Sequence, residues 1–156
     1  MEILKKQYEL IKGSRQAMLG FIAEQAAAQL TTPIIEFNNS NIRYLLVHIA
    51  NTYKHWGGNF AMKKGLLYID DNTVNDITSI QKLFNEIDEL MMEFLDSFDN
   101  HNIKITNTLR TGKIAEITIL ELFTHMITHE FHHKGQIMTM CRLLGHVPPD
   151  TDVIRF

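Results

Sequence analysis

The pattern of apolar and polar positions along the chain predicts four long helices. It is clearest over residues 77–98, where apolar side chains keep heptad spacing and polar side chains occupy the other face. These apolar positions are Ile77, Ile80, Phe84, Ile87, Met91, Phe94 and Phe98. Apolar stripes of the same kind predict a first helix over residues 2–28 and a second over residues 41–62, with Ser40 as its N-cap.

The fourth predicted helix covers residues 118–145 and has well-defined ends. Thr118 and Glu121 form a capping box, and Gly145, followed by two prolines, ends the helix. Its heptad seam consists of Ile119, Leu122, Met126, His129, His133, Gln136, Met140 and Leu143. Because residues at this spacing face a core, the polar side chains in the middle of the seam need binding partners.

The segments between the helices predict two loops and one hairpin. Residues 30–39 contain a proline and an Asn-Asn pair, and residues 65–75 are rich in Asp and Asn. Between the third and fourth helices, isoleucines flank a Thr111-Gly112 turn, which predicts a short two-stranded β-hairpin. We therefore predict an all-α four-helix bundle that occupies residues 1–156 as a single domain, with at least one crossover connection.

Composition and charge argue against several functional classes. The formal charge of −3 disfavours a nucleic-acid partner, which needs clustered Lys and Arg. The chain has no long charge-free apolar run typical of a membrane helix, and residues 1–6 are not typical of a signal peptide. Cys141 is the only cysteine, so no internal disulfide forms and we expect a cytoplasmic location. Histidine is unusually abundant, with eight residues in the chain.

Three of these histidines are candidate metal ligands. His129 and His133 are four residues apart, which places their rings on one helical face, one turn apart. Two such rings can hold one ion at about 2.0–2.1 Å per Zn–N bond, and His48 on a facing helix is the best candidate for a third ligand. Three His ligands leave coordination positions open, as in catalytic metal sites. The alternative is that these are hydrogen-bonded core residues that bind no metal.

Other side chains near the predicted site have less certain roles. His125 is an alternative fourth ligand or a group that supports a ligand, and His132 flanks the seam in the same way. Gln136 is expected to hydrogen-bond a ligand or a metal-bound water, whereas Glu130 is expected to face solvent or an adjacent helix. Core packing or a pocket wall is expected for Tyr53 and Trp56, and a solvated or loop position for His55, His101 and His146.

Two other metal motifs match only in part. Residues 129–133 satisfy H-E-x-x-H, the zincin signature, but Gln136 and Thr139 stand where the extended metzincin motif needs Gly and His. No Glu follows Glu130 to complete a gluzincin site. Glu130 and His133 also match half of a ferritin-like di-iron site, but no second Glu-x-x-His exists. We therefore expect neither a protease nor a di-iron protein.

Two segments resemble the DinB family of damage-inducible, metal-binding bundles, which is unrelated to the DNA polymerase of the same name. They are LLVHIANTYKHW at 45–56 and HMITHEFHHKGQI at 125–137. The family carries a metal-binding His in a pattern like LLxHIA, matched here by His48. Its last helix carries H-x-x-x-H, a basic residue and Gly-Gln, matched by His129, His133, Lys134, Gly135 and Gln136. His125 occupies the position of a further His that is frequent in the family.

The resemblance implies a DinB-like four-helix bundle, a homodimer, and a three-His site for a divalent ion such as nickel or zinc. Some members of the family are thiol transferases or isomerases that use low-molecular-weight thiols, and others are described only as metal-dependent hydrolases. We therefore expect a metalloenzyme that activates water or a small thiol, with no catalytic acid or base identified. The alternatives are a non-catalytic metal-binding stress-response protein and a helical dimer whose histidines bind nothing.

Overall fold

Four α-helices and one β-hairpin form the framework of the residues that the computed structural model describes, 1–109 and 111–155. The helices are α1 (Glu2–Phe21), α2 (Ile42–Tyr53), α3 (Ile77–Asp96) and α4 (Ile119–Leu143). The antiparallel strands are β1 (Lys104–Thr108) and β2 (Ile114–Thr118). Buried apolar side chains from all four helices form one core. The predicted four-helix bundle, with a hairpin between its third and fourth helices, is therefore confirmed. No helix of the described residues combines the length and apolarity needed to cross a bilayer.

The two N-terminal helices extend beyond their α-helical parts. The first continues through π-helical and 3₁₀ turns to Gln29, and the second continues as a π-helix over Lys54–Ala61. The predicted helices over residues 2–28 and 41–62 are therefore confirmed in extent. A π-helical turn is wider than an α-helical turn and is frequent at functional sites. Both helices carry such a turn, and the π-helical segment after α2 follows the helix that bears the candidate ligand His48.

The cap of α2 differs from the prediction by one residue. The Asn41 side chain accepts a hydrogen bond from the Tyr44 backbone N–H at 2.9 Å, so Asn41 and not Ser40 is the N-cap. Ser40 instead pairs with Ile34 in an isolated antiparallel bridge, and its buried hydroxyl has no hydrogen-bond partner among the described residues. Ser and Asn cap helices about equally well, so composition alone does not separate these neighbours. The bridge to Ile34 decides between them.

Both ends of α4 are as predicted. The Thr118 hydroxyl accepts a hydrogen bond from the Glu121 backbone N–H at 3.2 Å, and the Glu121 carboxylate accepts one from the Thr118 N–H at 2.8 Å. Gly145 adopts φ 92°, a left-handed conformation that glycine takes without steric cost. These ends keep the registry of α4, and with it the positions of the two candidate ligands on that helix.

The buried face of α4 departs from the predicted heptad seam in the middle of the helix. Four seam residues are buried, Ile119, Leu122, Met126 and Met140, but between Met126 and Met140 the buried positions are Ile127, Glu130, Lys134, Ile137 and Met138. This spacing is close to the 3.6 residues per turn of a straight helix, from which a strict heptad repeat drifts by about 20° per seven residues. Leu143, at the end of the predicted seam, is 50% exposed. His129 and His133, in the middle of the predicted seam, are half-buried at the edge of the core, and their neighbours Glu130 and Lys134 are buried.

Candidate metal centre

Three histidine rings from two helices meet where α2 packs against α4. The ligand nitrogens of His48, His129 and His133 all lie within 4.8 Å of one another. The Nε2 atoms of His48 and His129 are 3.0 Å apart. The ring centroid of His133 is 4.4 Å from that of His129 and 4.8 Å from that of His48. The three residues predicted as ligands thus occupy one half-buried cluster at the edge of the core.

The donor set and its spacing fit a divalent metal ion. Two imidazole nitrogens that bind one ion at right angles, each at about 2.1 Å, lie about 3 Å apart. The His48–His129 separation of 3.0 Å is close to this value, is shorter than the roughly 3.4 Å of a tetrahedral site, and is also the length of a hydrogen bond between the two rings. A set of imidazoles without carboxylates suits zinc, nickel or copper and is unsuited to magnesium or calcium.

The electrostatic environment keeps the three rings neutral, as metal ligands must be. Burial lowers the pKa of His48. Burial, reinforced by the neighbouring His133 and His48 rings, lowers the pKa of His129 to about 4. Burial also lowers the pKa of His133, partly opposed by its hydrogen bond to Gln136. Near neutral pH each ring therefore has a nitrogen lone pair to offer.

Neighbouring side chains orient two of the rings. The Gln136 Oε1 atom lies 2.6 Å from His133 Nδ1, so a proton on Nδ1 is donated to Gln136 and Nε2 is left to bind a metal. This is the ligand contact that we expected for Gln136. On the other side of the cluster, the Tyr44 ring stacks on His48, with centroids 6.2 Å apart and planes 9° from parallel.

The other histidines stand outside the three-residue cluster. His125 is exposed, and its ring centroid is 5.8 Å from that of His129. His132 is also exposed and its ring lies 4.9 Å from that of His133. In the part of the chain that the structure describes, neither belongs to a group able to share one ion with the three predicted ligands. The alternative role of His125 as a fourth ligand therefore has no support from this arrangement.

Of the three histidines expected at solvated or loop positions, His146 and His101 lie outside the helices as expected, whereas His55 lies in a helical segment. The Nδ1 atom of His55 lies 2.6 Å from the Tyr68 hydroxyl, and His55 is half-buried in the π-helical segment. His146 is half-buried too, with Nε2 2.5 Å from the Gln29 side-chain oxygen. His101 follows the predicted pattern more closely, because it lies in a turn before the hairpin.

Next to His129, α4 carries a buried glutamate. Glu130 is 2% exposed, and its carboxylate accepts hydrogen bonds from Arg15 Nε at 2.8 Å and from Arg15 Nη2 at 2.9 Å. The Tyr53 hydroxyl donates a third, at 2.5 Å. Of the two positions expected for Glu130, solvent is therefore wrong, and the side chain instead faces α1 and α2. Its oxygens are occupied, so it is not arranged as the general base of a zincin.

Arg15 connects all four helices. Its guanidinium, on α1, binds Glu130 on α4 and donates a further hydrogen bond to the Asp88 carboxylate on α3 at 2.6 Å. Asp88 also accepts a hydrogen bond from the Tyr8 hydroxyl at 2.8 Å, and Tyr53 adds α2 through Glu130. Burial acts to lower the pKa of Arg15, but Glu130, Tyr8 and Tyr53 together outweigh it and raise this pKa. We call Arg15, Glu130, Asp88, Tyr8 and Tyr53 the buried ion network.

The central residues of this network were missed in the sequence, although a signal for Arg15 exists. Arg15 lies one turn after Ile11 in the apolar stripe of α1, where an apolar residue is expected. Asp88 stands next to Ile87 in α3, beside a stripe that stays apolar, so its own position gives no such signal. Charged residues are almost never fully buried unless they are paired. The charge that interrupts the apolar stripe of α1 therefore predicts a buried partner of opposite sign.

Lys134, the basic residue after His133, is also structural. It is buried, and its ammonium donates hydrogen bonds to the Ser14 hydroxyl at 2.7 Å and to the Thr151 carbonyl at 2.5 Å. The Ser14 hydroxyl in turn donates to the Thr151 carbonyl at 2.6 Å. Burial lowers the pKa of Lys134. These contacts join α4 to α1 and fasten the segment after α4 to both helices.

Comparison with known proteins finds relatives of this chain. The sequence profile of the DinB family matches residues 1–156. The Bacillus subtilis (strain 168) protein named "Uncharacterized protein YizA" is 28% identical in an alignment of 137 positions that covers 81% of this chain and 81% of that protein. The protein named DinB from the same organism is 25% identical over 83 residues, which cover 53% of this chain and 48% of that protein. Because the family profile matches along the whole chain, the protein belongs to the DinB family.

Proposed function

We propose that this protein is a metal-dependent enzyme whose divalent ion, nickel or zinc, is held by His48, His129 and His133. The observation that carries the proposal is the convergence of three neutral imidazoles from α2 and α4 within 4.8 Å. Three ligands of this kind leave coordination positions open for water or a small molecule. The reaction is the transfer of a low-molecular-weight thiol or the hydrolysis of a small substrate.

The protein's own residues prepare the site before any ion arrives. Partial burial keeps the rings neutral, and Gln136 selects the nitrogen of His133 that faces the ion. When bound, the metal would act as a Lewis acid that lowers the pKa of a coordinated water or thiol. The buried ion network and the Lys134 contacts fix α4, so two ligands keep their positions relative to His48.

A second candidate is a non-catalytic metal-binding protein of the stress response. Its support is that Glu130, the carboxylate closest in sequence to the ligands, is fully occupied by Arg15 and Tyr53. Within the described residues, no carboxylate belongs to the three-histidine cluster. A site without a general base suits storage or sensing of a metal as well as thiol transfer.

We also propose that the protein works as a homodimer in the cytoplasm, with a small-molecule substrate and no nucleic-acid or membrane partner. The net charge of −3 supports the exclusion of nucleic acid, and the single, buried cysteine is suited to a reducing compartment. The homodimer is supported by the family resemblance alone. Sedimentation equilibrium tests the dimer directly, because a mass of one chain at micromolar concentration contradicts it.

Cobalt substitution separates the enzyme from the second candidate. Cobalt(II) in the site absorbs visible light, and 2-mercaptoethanol bound at an open position adds a sulfur-to-cobalt band in the near ultraviolet. We expect this band in the wild-type protein and no visible cobalt bands in His129→Ala. Ethylene glycol, which has no thiol, is the matched control ligand. A cobalt spectrum that 2-mercaptoethanol leaves unchanged indicates a closed site and favours the non-catalytic candidate.

A further inference from the structure

A cavity of about 300 Å³ lies directly beside the three-histidine cluster. It is lined by His48, Asn51, Thr52, His55, Trp56 and Tyr68, which we call the aromatic pocket. His48 belongs both to this pocket and to the candidate metal centre. Its volume is at the lower end for small-molecule sites, which are about 300–1,000 Å³. A ligand of modest size could therefore reach the metal with one end and fill the pocket with the other.

The loop that forms the outer wall of the pocket is built in place by two asparagines. The Asn51 side chain donates to the Ile69 carbonyl and accepts from the Ile69 N–H, both at 2.9 Å. Asn59 makes the same pair of bonds with Leu66, at 2.9 and 2.6 Å. These four bonds replace the pairing that a neighbouring strand would supply. Tyr68 lies between the two anchored residues and is therefore held over the pocket.

Aromatic rings connect the pocket to the metal centre. Trp56 is half-buried, and its ring centroid lies 5.1 Å from that of His125, which is in turn 5.8 Å from that of His129. Towards the loop, Trp56 contacts His55, whose Nδ1 is 2.6 Å from the Tyr68 hydroxyl. The π-helical segment Lys54–Ala61 carries both Trp56 and His55. This wall of rings therefore depends on the irregular turn after α2.

A ligand in the pocket would meet the faces of aromatic rings and one hydroxyl group that can both donate and accept. The Asn51 amide is engaged by the loop, and the Thr52 hydroxyl donates to the His48 carbonyl at 3.0 Å. A phenolic hydroxyl can both donate and accept, so Tyr68 can bind a ligand while it keeps its contact with His55. The described residues of the lining include no carboxylate, ammonium or guanidinium. Stacking and a single hydrogen bond are the interactions that remain.

We infer that the aromatic pocket binds the planar, aromatic or unsaturated part of a substrate whose anionic head binds the metal. Trp56 supplies the stacking face and the Tyr68 hydroxyl supplies the hydrogen bond. This inference rests on the proposed function, because the head group needs the ion at His48, His129 and His133. It adds a substrate class, small planar molecules with a metal-binding head, and two residues that select it.

A pair of hydroxamates tests the inference on the metal-loaded protein. Acetohydroxamate and benzohydroxamate chelate a metal through the same two oxygens and differ in a methyl against a phenyl group. We expect benzohydroxamate to bind about tenfold more tightly in calorimetric titrations of the zinc-loaded chain. Trp56 is the only tryptophan, so its fluorescence should change with benzohydroxamate and stay nearly constant with acetohydroxamate.

Variants assign the phenyl preference to the pocket. Tyr68→Ala and Trp56→Leu should each remove most of the tenfold difference between the two ligands while acetohydroxamate affinity stays unchanged. Leu67→Ala is the matched control, since Leu67 belongs to the same loop, is 85% exposed and does not line the pocket. Tyr68 is 49% exposed, so its replacement tests the inference even where Trp56→Leu disturbs folding.

The outcomes separate the two levels of the hypothesis. If acetohydroxamate binds and benzohydroxamate gains nothing, or if both pocket variants keep the full phenyl preference, the inference about the aromatic pocket is wrong. The metal centre then stands unaffected. If neither hydroxamate binds the zinc-treated chain, the proposed metal site itself fails, and the substrate class fails with it.

Discussion

Two neighbouring residues of α4, His129 and Glu130, belong to regions with opposite character. The histidine cluster is half-buried and neutral, and its ring nitrogens can still bind a further partner. The buried ion network is almost fully enclosed and charged, and Arg15 and Glu130 bind each other through two hydrogen bonds. A group whose bonding capacity is used up stabilises the fold, whereas one with capacity left can serve a ligand. Because the H-E-x-x-H motif places His129 and Glu130 side by side, the motif alone does not separate their two roles.

Breaking the ion network should have the largest effect. Arg15→Met leaves the Glu130 carboxylate buried without its cation, and we expect the free energy of unfolding to fall by about 3–5 kcal/mol. Urea denaturation of the metal-free protein measures this change. His132→Ala, an exposed change on α4, should stay within about 0.5 kcal/mol of wild type. A loss below about 1 kcal/mol for Arg15→Met would contradict the structural role of the network.

Replacing both Arg15 and Glu130 tests the same prediction more sharply. Arg15→Met combined with Glu130→Leu removes both fully buried charges, and the partly exposed Asp88 carboxylate keeps its hydrogen bond from Tyr8. Replacing a buried pair by apolar residues is often close to neutral, and we expect most of the stability lost in Arg15→Met to return. The double variant should still bind metal, because neither residue belongs to the histidine cluster. Loss of metal from a stable double variant would place Glu130 in the metal site.

Removing Gln136, the side chain that orients one ring of the histidine cluster, should have an intermediate effect on metal affinity. Gln136→Leu removes the acceptor for His133 Nδ1, so the ring is no longer held in the orientation that leaves Nε2 for the metal. Loss of such a supporting contact typically lowers metal affinity about 10–100-fold. Competition with a chromophoric chelator measures the affinity, and Thr139→Val, three residues further along α4 on an exposed position, is the control. Unchanged affinity in Gln136→Leu would show that the contact does not orient the ligand.

The smallest effect concerns the one thiol of the chain. Cys141 is fully buried, and burial raises the pKa of its thiol to about 11. At pH 8 the thiolate fraction is therefore small and the sulfur is shielded, so we expect no reaction with a disulfide reagent in the native protein. In urea the same reagent should consume one thiol per chain. Rapid labelling of the native protein would mean that the end of α4 opens easily.

The fold and two of the candidate ligands could be predicted from local spacing, whereas His48 was predicted from its place beside the apolar stripe of a facing helix and from the family resemblance. Four apolar stripes define the bundle, and the i, i+4 spacing of His129 and His133 survives any small rotation of the helix. The rotation itself was mispredicted, since a heptad seam and a straight-helix stripe diverge over the 25 residues of α4. Because of this divergence, Glu130 lies in the core and His129 lies at its edge.

The aromatic pocket could not be predicted from local sequence spacing, for a different reason. It depends on Asn51 and Asn59 capturing the backbone of residues 66–69 across 18 and 7 positions of sequence. No periodic pattern marks such side-chain to backbone pairs. It also depends on a π-helical turn whose onset at Lys54 has no apolar-spacing signal. Trp56, for which core packing and a pocket wall were both expected, packs against the core and lines the pocket.

The most direct test of the account is the metal content of tag-free protein, loaded with zinc or nickel and freed of excess ion by gel filtration. We expect one ion per chain in the wild type and in His55→Ala, and strongly reduced content in His48→Ala, His129→Ala and His133→Ala. Circular dichroism should show helices in all five proteins, so that lost metal is not lost fold. Full occupancy in any of the three ligand variants, or its loss in His55→Ala alone, would contradict the assignment of the metal centre.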